Sequence, residues 1–480
     1  MTGMSSRQQG AALPLLFALA ATLFESVLAS AQSAQVPPSA ATHSITTRKL
    51  AAAIATSSEV LGSLAAVRQL PNGNVLVNDQ ARHRVLLLDK NLALVSIVAD
   101  STSSTNNAYG VQPGGLIPFR GDSTLFVDAA SLSMLVIDPA GKLTRTMAAP
   151  RPNDTRYLTG GALGNPGFDA KGRLVYRTVD FGFGRGRGVG TQPGQAFVMP
   201  TPPDSAALVR FDLATRKLDT AGFFKIAKTN TSMSEAGGHA HAENLINPLP
   251  VVDDWAVMSD GTIALVRGRD YHIDFIEPSG AISSAEKIPY DWQRLRDEDK
   301  QAFLDSSRVA LEKLRARDPQ AVASSSPTNA DPLGSVPAPG FSFGGGGDSH
   351  GAGDGFRSQF GGGAPRPRDG GGDSATPRAE GSASPAAISM VPASTLPDYK
   401  PVFGPGAVRA DADNRIWVRT IATKATSGGA IYEVIDRSGK LVERVQIPAG
   451  RAIAGFGKGG VVYLGYRDAA GVHLEKAIAP

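Results

Sequence analysis

With 480 residues and 42% apolar side chains, the chain can bury a large core, and only 19% of its residues are charged. Its formal net charge of +4 contains no dense Lys/Arg block, so it gives no argument for a nucleic-acid partner. The absence of cysteine excludes disulfides, thiolate nucleophiles, cysteine-ligated metal and lipid anchors on cysteine, while 54 glycines and 33 prolines signal many turns and a low-complexity stretch.

The chain begins as an export signal does. Arg7 supplies a positive start, residues 11–24 form an apolar stretch interrupted by Pro14 and containing one polar residue, Thr22, and Ala29-Ser30-Ala31 offers a small-x-small cleavage site. That apolar run is shorter than the ~20 residues a spanning helix needs, and Glu25 ends it. The expectation is a signal peptide at 1–31, with Ala34 as the alternative cleavage point, and a flexible segment at 32–43. The product is then exported, periplasmic or extracellular, without a transmembrane span after signal removal.

Past residue 43 one unit recurs: an apolar strand, a tight polar turn, and a second apolar strand. Its six copies are residues 67–77, 117–127, 167–176, 256–266, 408–418 and 453–464. Asn72-Gly73 and Asp260-Gly261 supply the positive φ angles that tight hairpin turns require. A second hairpin follows at 85–95, 135–143, 208–213, 273–280 and 432–441, where Asp-Pro-x-Gly or Asp-x-x-Gly turns the third strand into the fourth. Two hairpins make a four-stranded antiparallel sheet, one blade of a propeller. The last unit stops after a third strand at 472–478, so residues 44–50 are expected to return as its missing outer strand. That pairing would close the ring without disulfides.

The predicted fold is therefore all-β: a six-bladed β-propeller with an N-terminal strand closing the last blade, one helical insertion and one disordered Gly/Ser/Pro-rich insertion. Residues 44–290 carry blades one to four with the closing strand at 44–50, and residues 395–480 carry blades five and six. Between them, 291–317 is a helical insertion. Its helix is expected over 297–317, with Phe303, Leu304, Leu311 and Leu314 on an apolar side. Asp297-Glu298-Asp299 suits the N-terminus of that helix, and Arg315 and Arg317 suit its C-terminus. Residues 318–394 collapse into Ser, Pro and Gly, including four consecutive glycines at 344–347, and cannot bury enough apolar surface to order themselves.

The recurring D-x-x-G-x-hydrophobic-hydrophobic-V pattern resembles the six-bladed propellers of the TolB-like, NHL-repeat and gluconolactonase-like superfamily, over nearly all of 44–480 outside the insertions. The pattern specifies an architecture, and that architecture hosts many functions. Gluconolactonase-like proteins hold a divalent cation in the central channel with a Glu, Asn and Asp set. Glu243, Asn244 and Asp253 have that chemistry, but the family's early Glu-Gly-Pro strand is here Leu61-Gly62-Ser63-Leu64, which argues against a lactonase.

All long excursions, at 180–204, 227–250 and 291–400, fall in loops of one class, between second and third strands or between blades. They decorate one face and leave the other with tight turns only, so a site is expected on the decorated face. Arg177, Arg267, Arg419 and Arg467 end or follow second strands on that side, with Asn78-Asp79 and Asp128 at the matching places of blades one and two. Converging arginines would bind a carboxylate, a phosphate or an acidic partner. The plainer alternative is that they pair with Asp180, Asp270 and other local acids. His239-x-His241-x-Glu243 in an extended segment would direct three ligands to one divalent metal, zinc or another imidazole-tolerant ion; the alternative is a loop with ordinary polar histidines. Residues 182–188 (GFGRGRG) lack the context and the Lys-Ser/Thr of a phosphate loop, and there is no Gly-x-Ser-x-Gly elbow. The functional expectation is an exported, non-catalytic binding module that recognises a protein or a small anionic ligand on its decorated face. The alternatives are a metal-dependent hydrolase of the lactonase or esterase class, with a channel-bound divalent ion, and a structural component of the cell envelope.

Overall fold

A computed structural model describes residues 45–179, 203–236, 239–317, 388–422 and 428–480. Six sheets follow one another along the chain, and within each the strands are antiparallel and hydrogen-bonded in sequence order, apart from two N-terminal strands that join the last two sheets. Their innermost strands are Ala66–Gln69, Gly114–Pro118, Gly167–Phe168, Asp254–Val257, Val408–Ala410 and Arg451–Phe456. These inner strands touch their neighbours around a ring. Asn165 bridges Ala256 between blades three and four, and an Arg409 Nη donates to the Ala454 carbonyl between blades five and six at 3.5 Å. Blade six meets blade one where Gln69 Nε2 donates to the Tyr463 hydroxyl at 3.2 Å and Gln69 Oε1 accepts from the Lys458 amide at 3.0 Å. Gly455 must be glycine at this seam, because a Cβ there would stand 2.6 Å from the Val67 carbonyl oxygen.

The recurring Asp-x-x-Gly has a direct structural reason. One carboxylate oxygen of the aspartate accepts the amides two and four residues onward. Asp138 does this for Ala140 and Lys142 at 2.9 and 2.8 Å, and Asp436 for Ser438 and Lys440 at 2.8 and 3.0 Å. The fourth residue then takes a left-handed conformation, φ 84° at Gly141 and 82° at Gly439, which glycine adopts without penalty. Asp169 and Asp411 repeat the arrangement in first-to-second turns. The motif is thus a self-capped turn. It carries no chemistry of its own.

The N-terminal chain does close the last blade, by a shorter pairing than expected. Ala55–Thr56 lies antiparallel to Val472–Ile478, opposite Lys476 and Glu475. Thr47–Lys49, within the segment expected to do this, instead runs parallel to Leu441–Gln446 as a fifth strand of blade five. The incoming chain is therefore stitched to two successive blades. Buried apolar residues then lock the sheets face to face: one cluster joins Leu125, Val175, Trp255 and Leu265 of blades two, three and four, each such side chain contributing roughly 1.5–3 kcal/mol.

The predicted helix is present as Asp297–Arg317. Leu304 and Leu311 are buried, and Leu304 packs with Leu249, Leu295, Val391 and Leu396 on the decorated side. Lys300 ties the helix to Asp398 at 2.7 Å. Most of the predicted disordered stretch lies outside the described residues, but its end is placed: Met390 bridges Ile246 and Val391 is buried. An unanticipated hairpin, Asn230–Ala236 with His239–Leu245, stands between blades three and four. Among the described residues no helix is long and apolar enough to cross a membrane. The predicted signal peptide lies outside the described residues.

Candidate functional site

The six inner strands enclose a cavity of about 1100 Å³. It is lined by all six inner strands and by their first-to-second turns, including Pro71, Asp122, Gly172, Ser259, Ala412 and Lys458. The cavity therefore reaches the face with the tight turns. The sequence placed a site on the opposite, decorated face.

Inner strands position two arginines here. In the pairing with each second strand, the second residue back from the turn is Arg68, Ile117, Gly167, Ala256, Arg409 or Gly455 in blades one to six. This repeat position faces the seam to the next blade, where an added Cβ at Gly167 would meet Val257 at 2.8 Å. Four blades fill it with a small or apolar residue. Blades one and five place an arginine there, and both arginines line the cavity.

Neither guanidinium is satisfied by protein. An Arg68 Nη donates to the Asp122 carbonyl across a long 3.3 Å, and its other Nη is buried without an acceptor. Arg409 has only the 3.5 Å contact already described, and its Nε is buried without an acceptor. Burial pushes Arg68 down to about 10, with the Asp122 charge working against the shift. Burial also lowers Arg409, with Tyr432 and the Asp254 charge working against the shift and the Arg419 charge adding to it. Arg68 remains cationic at neutral pH.

The cavity wall carries Arg68, Arg120, Lys171, Arg409 and Lys458 against three carboxylates. Two of those are already engaged. Asp169 accepts from Arg173 at 2.8 Å and faces Arg210 at 3.6 Å. Asp411 accepts from Arg415 at 2.7 Å and from the Trp417 indole at 2.9 Å. Asp122, exposed at the rim, is the third. The potential inside is set by cations whose N–H groups suit a carboxylate, sulfonate or phosphate.

The residues singled out in the sequence are engaged elsewhere. Arg267 donates to Asp274 at 2.7 Å and to Asp253 at 2.9 Å, so its partners are local acids as the plainer reading held, although not Asp270. Asp270 pairs with His272 and Lys287. Asp253 also accepts the Gly268 and Lys225 amides, which ties it between blades four and three. Arg177 lies over the Tyr157 and Phe224 rings at 5.6 and 5.8 Å, with its Nε buried and without an acceptor. Arg419 ends the second strand of blade five, and Arg467 reaches the Gly62 carbonyl at 3.5 Å. Asn78 is a buried tie between blades, donating to the Gly114 carbonyl and accepting from Tyr109. Asp79 accepts the Gly62 and Ser63 amides, and Asp128 the Gly110 and Ala130 amides.

His239, His241 and Glu243 occupy alternate positions of one strand, opposite Ala236, Ser234 and Ser232. Their side chains lie outside the described set, as do those of Asn244 and Leu314. Among the described residues no group of three or more His, Asp or Glu side chains gathers as metal ligands would. Arg68 and Arg409 were not among the residues that stood out in the sequence. Their signal was a charge at an inner-strand position, Val67-Arg68 and Val408-Arg409, recurring in step with the repeat.

The sequence matches no protein-family model and no curated protein. Solved structures similar in arrangement include a gluconolactonase from Xanthomonas campestris, at 9% identity, 90% of this chain, 99% of that one and a TM-score of 0.35. A luciferin-regenerating enzyme matches at 9% identity over 89% and 96%, with a TM-score of 0.33. Virginiamycin B lyase from Staphylococcus aureus matches at 9% identity over 89% and 88%, with a TM-score of 0.31. The chain is a six-bladed β-propeller. That assignment rests on its own six sheets, and the activities of the similar proteins are theirs.

Proposed function

We propose that this propeller is a binding protein for a small anionic ligand, held in the central cavity and entered from the face with the tight turns. One observation carries the reading: Arg68 and Arg409, at the same position of the repeat, line the cavity with buried N–H groups that no protein atom accepts. An unsatisfied buried donor costs ~1–3 kcal/mol, and a guanidinium that turns toward a bound anion would recover that cost. Calorimetric titration with citrate tests it. Wild-type protein should bind, and Arg68→Ala/Arg409→Ala should lose at least tenfold in affinity; equal binding by both would remove the proposal.

The decorated-face site stays with Arg177, whose buried Nε also lacks an acceptor, together with Arg419 and Arg467; Arg267 belongs to it only if its two aspartates release it. A larger acidic protein partner would use that face. The metal-dependent hydrolase is the remaining reading, supported by the extended strand that carries His239, His241 and Glu243 at alternate positions. Elemental analysis of purified protein is its test: stoichiometric zinc that vanishes in His239→Ala/His241→Ala supports it, and metal-free protein retaining its structure argues against it. Export to the periplasm or the outside is part of the same proposal, on the strength of residues 1–31.

A further inference from the structure

The cavity is much larger than its charged groups require. An inorganic anion would occupy a small part of about 1100 Å³, and pockets of roughly 300–1,000 Å³ are the size that encloses organic ligands. Part of the rest of the wall is apolar. Phe119, Phe168, Val257 and Phe456 line the cavity and are only partly buried by the protein. Phe119 and Phe168 form a tilted pair with ring centroids 5.1 Å apart, and Phe456 rests on Trp417 at 5.2 Å. These rings are fixed by packing on one side and present apolar surface on the other. Among the polar side chains of the wall, Gln69 is already committed on both its amide atoms.

Resting on the anion-binding reading above, we infer that the ligand is an amphipathic organic anion: its charged end sits on Arg68 and Arg409, and its apolar body lies against the Phe119, Phe168, Val257 and Phe456 wall. Two costs favour this class over a bare ion. A hydrated inorganic anion leaves the aromatic wall wet, so apolar burial contributes nothing. An apolar chain attached to the anion removes that surface from water while its head meets the two guanidinium groups, and each methylene buried adds ~0.8 kcal/mol, close to a fourfold gain in affinity.

A ligand series tests the inference without perturbing the fold. Hexanoate, octanoate and decanoate are titrated calorimetrically below their micellar concentrations, beside inorganic phosphate and decan-1-ol, with wild-type protein and Arg68→Ala/Arg409→Ala. The expected result is affinity rising roughly fourfold per methylene, weaker binding of phosphate and decanol, and loss of the carboxylate preference in the double variant. If phosphate binds as tightly as decanoate and chain length has no effect, this inference fails while the anion site stands. If decanol binds as tightly as decanoate, or the double variant binds every anion like wild type, the anion site fails as well.

Discussion

At the decorated end of blade four, Arg267 is gripped by Asp253 and Asp274, and Asp274 takes a further hydrogen bond from Ser284. Arg68, at the turn end of blade one, has a single long contact to a carbonyl and a buried nitrogen with no acceptor. Both side chains project from strands next to a tight hairpin, and both are half-buried. The difference lies in what was placed around them. Where the fold needs a charge to hold loops together, the sequence supplies opposite charges and backbone amides; Asp79 and Asp128 follow the same rule. In the central channel it supplies cations and spends the neighbouring carboxylates on turns. Charge that is fully paired serves stability, and charge left unsatisfied at a stability cost is what a ligand site requires.

Removing the paired arginine should have the larger effect. In Arg267→Ala two mostly buried carboxylates lose their counter-ion, and breaking such a pair is expensive because the partner stays behind uncompensated. The expected loss is about 2–3 kcal/mol in urea unfolding, with citrate binding unchanged. The pH dependence has a definite sign. Burial works to raise Asp274, but the Ser284 hydroxyl and the Arg267 guanidinium outweigh it and hold the carboxyl below its usual range. A depressed folded value gives stability that is present above pH ~4 and lost as the pH falls through that lower value. Wild type should therefore lose more stability than Arg267→Ala on acidification below pH ~4. A variant as stable as wild type, with the same acid profile, would make this end of blade four no different from the channel.

The two regions also differ in how readable they are. The repeat was legible because each turn obeys a local rule: an aspartate capping the amides two and four residues ahead, then a residue at positive φ. Asp138 and Asp436 show that rule in the sequence itself. Even so, Asn414 takes the glycine position after Asp411, at φ 61°, and lends its side-chain oxygen to Ser259 and Asp260 of the preceding blade. Closure was legible in kind and displaced in register. The pairing of Ala55–Thr56 involves two residues, too few for an alternating pattern to mark, whereas 44–50 had the look of a strand and found a different edge. The channel arginines were hidden for a non-local reason. Their environment comes from six strands spread along the chain from residue 66 to residue 456, and no window of sequence contains it. The decorated-face arginines drew notice because long loops surround them. For Arg267 those surroundings supplied its partners.

The smallest effect on stability belongs to Arg68→Ala, and it is the most informative. The substitution forfeits one weak 3.3 Å hydrogen bond and some packing of the aliphatic stem in the seam with blade two. Against this it removes a buried N–H without an acceptor, together with the desolvation that pushes the guanidinium down to about 10. Replacing an unsatisfied polar group by an apolar one is close to neutral or favourable. Urea unfolding should therefore place Arg68→Ala within about 0.5 kcal/mol of wild type, or slightly above it. Citrate should stabilise wild type and leave the variant nearly unmoved, since a ligand raises stability only through its affinity for the folded state. A loss of 2 kcal/mol or more without citrate would instead show that Arg68 holds the seam between blades one and two, as Arg267 holds blade four.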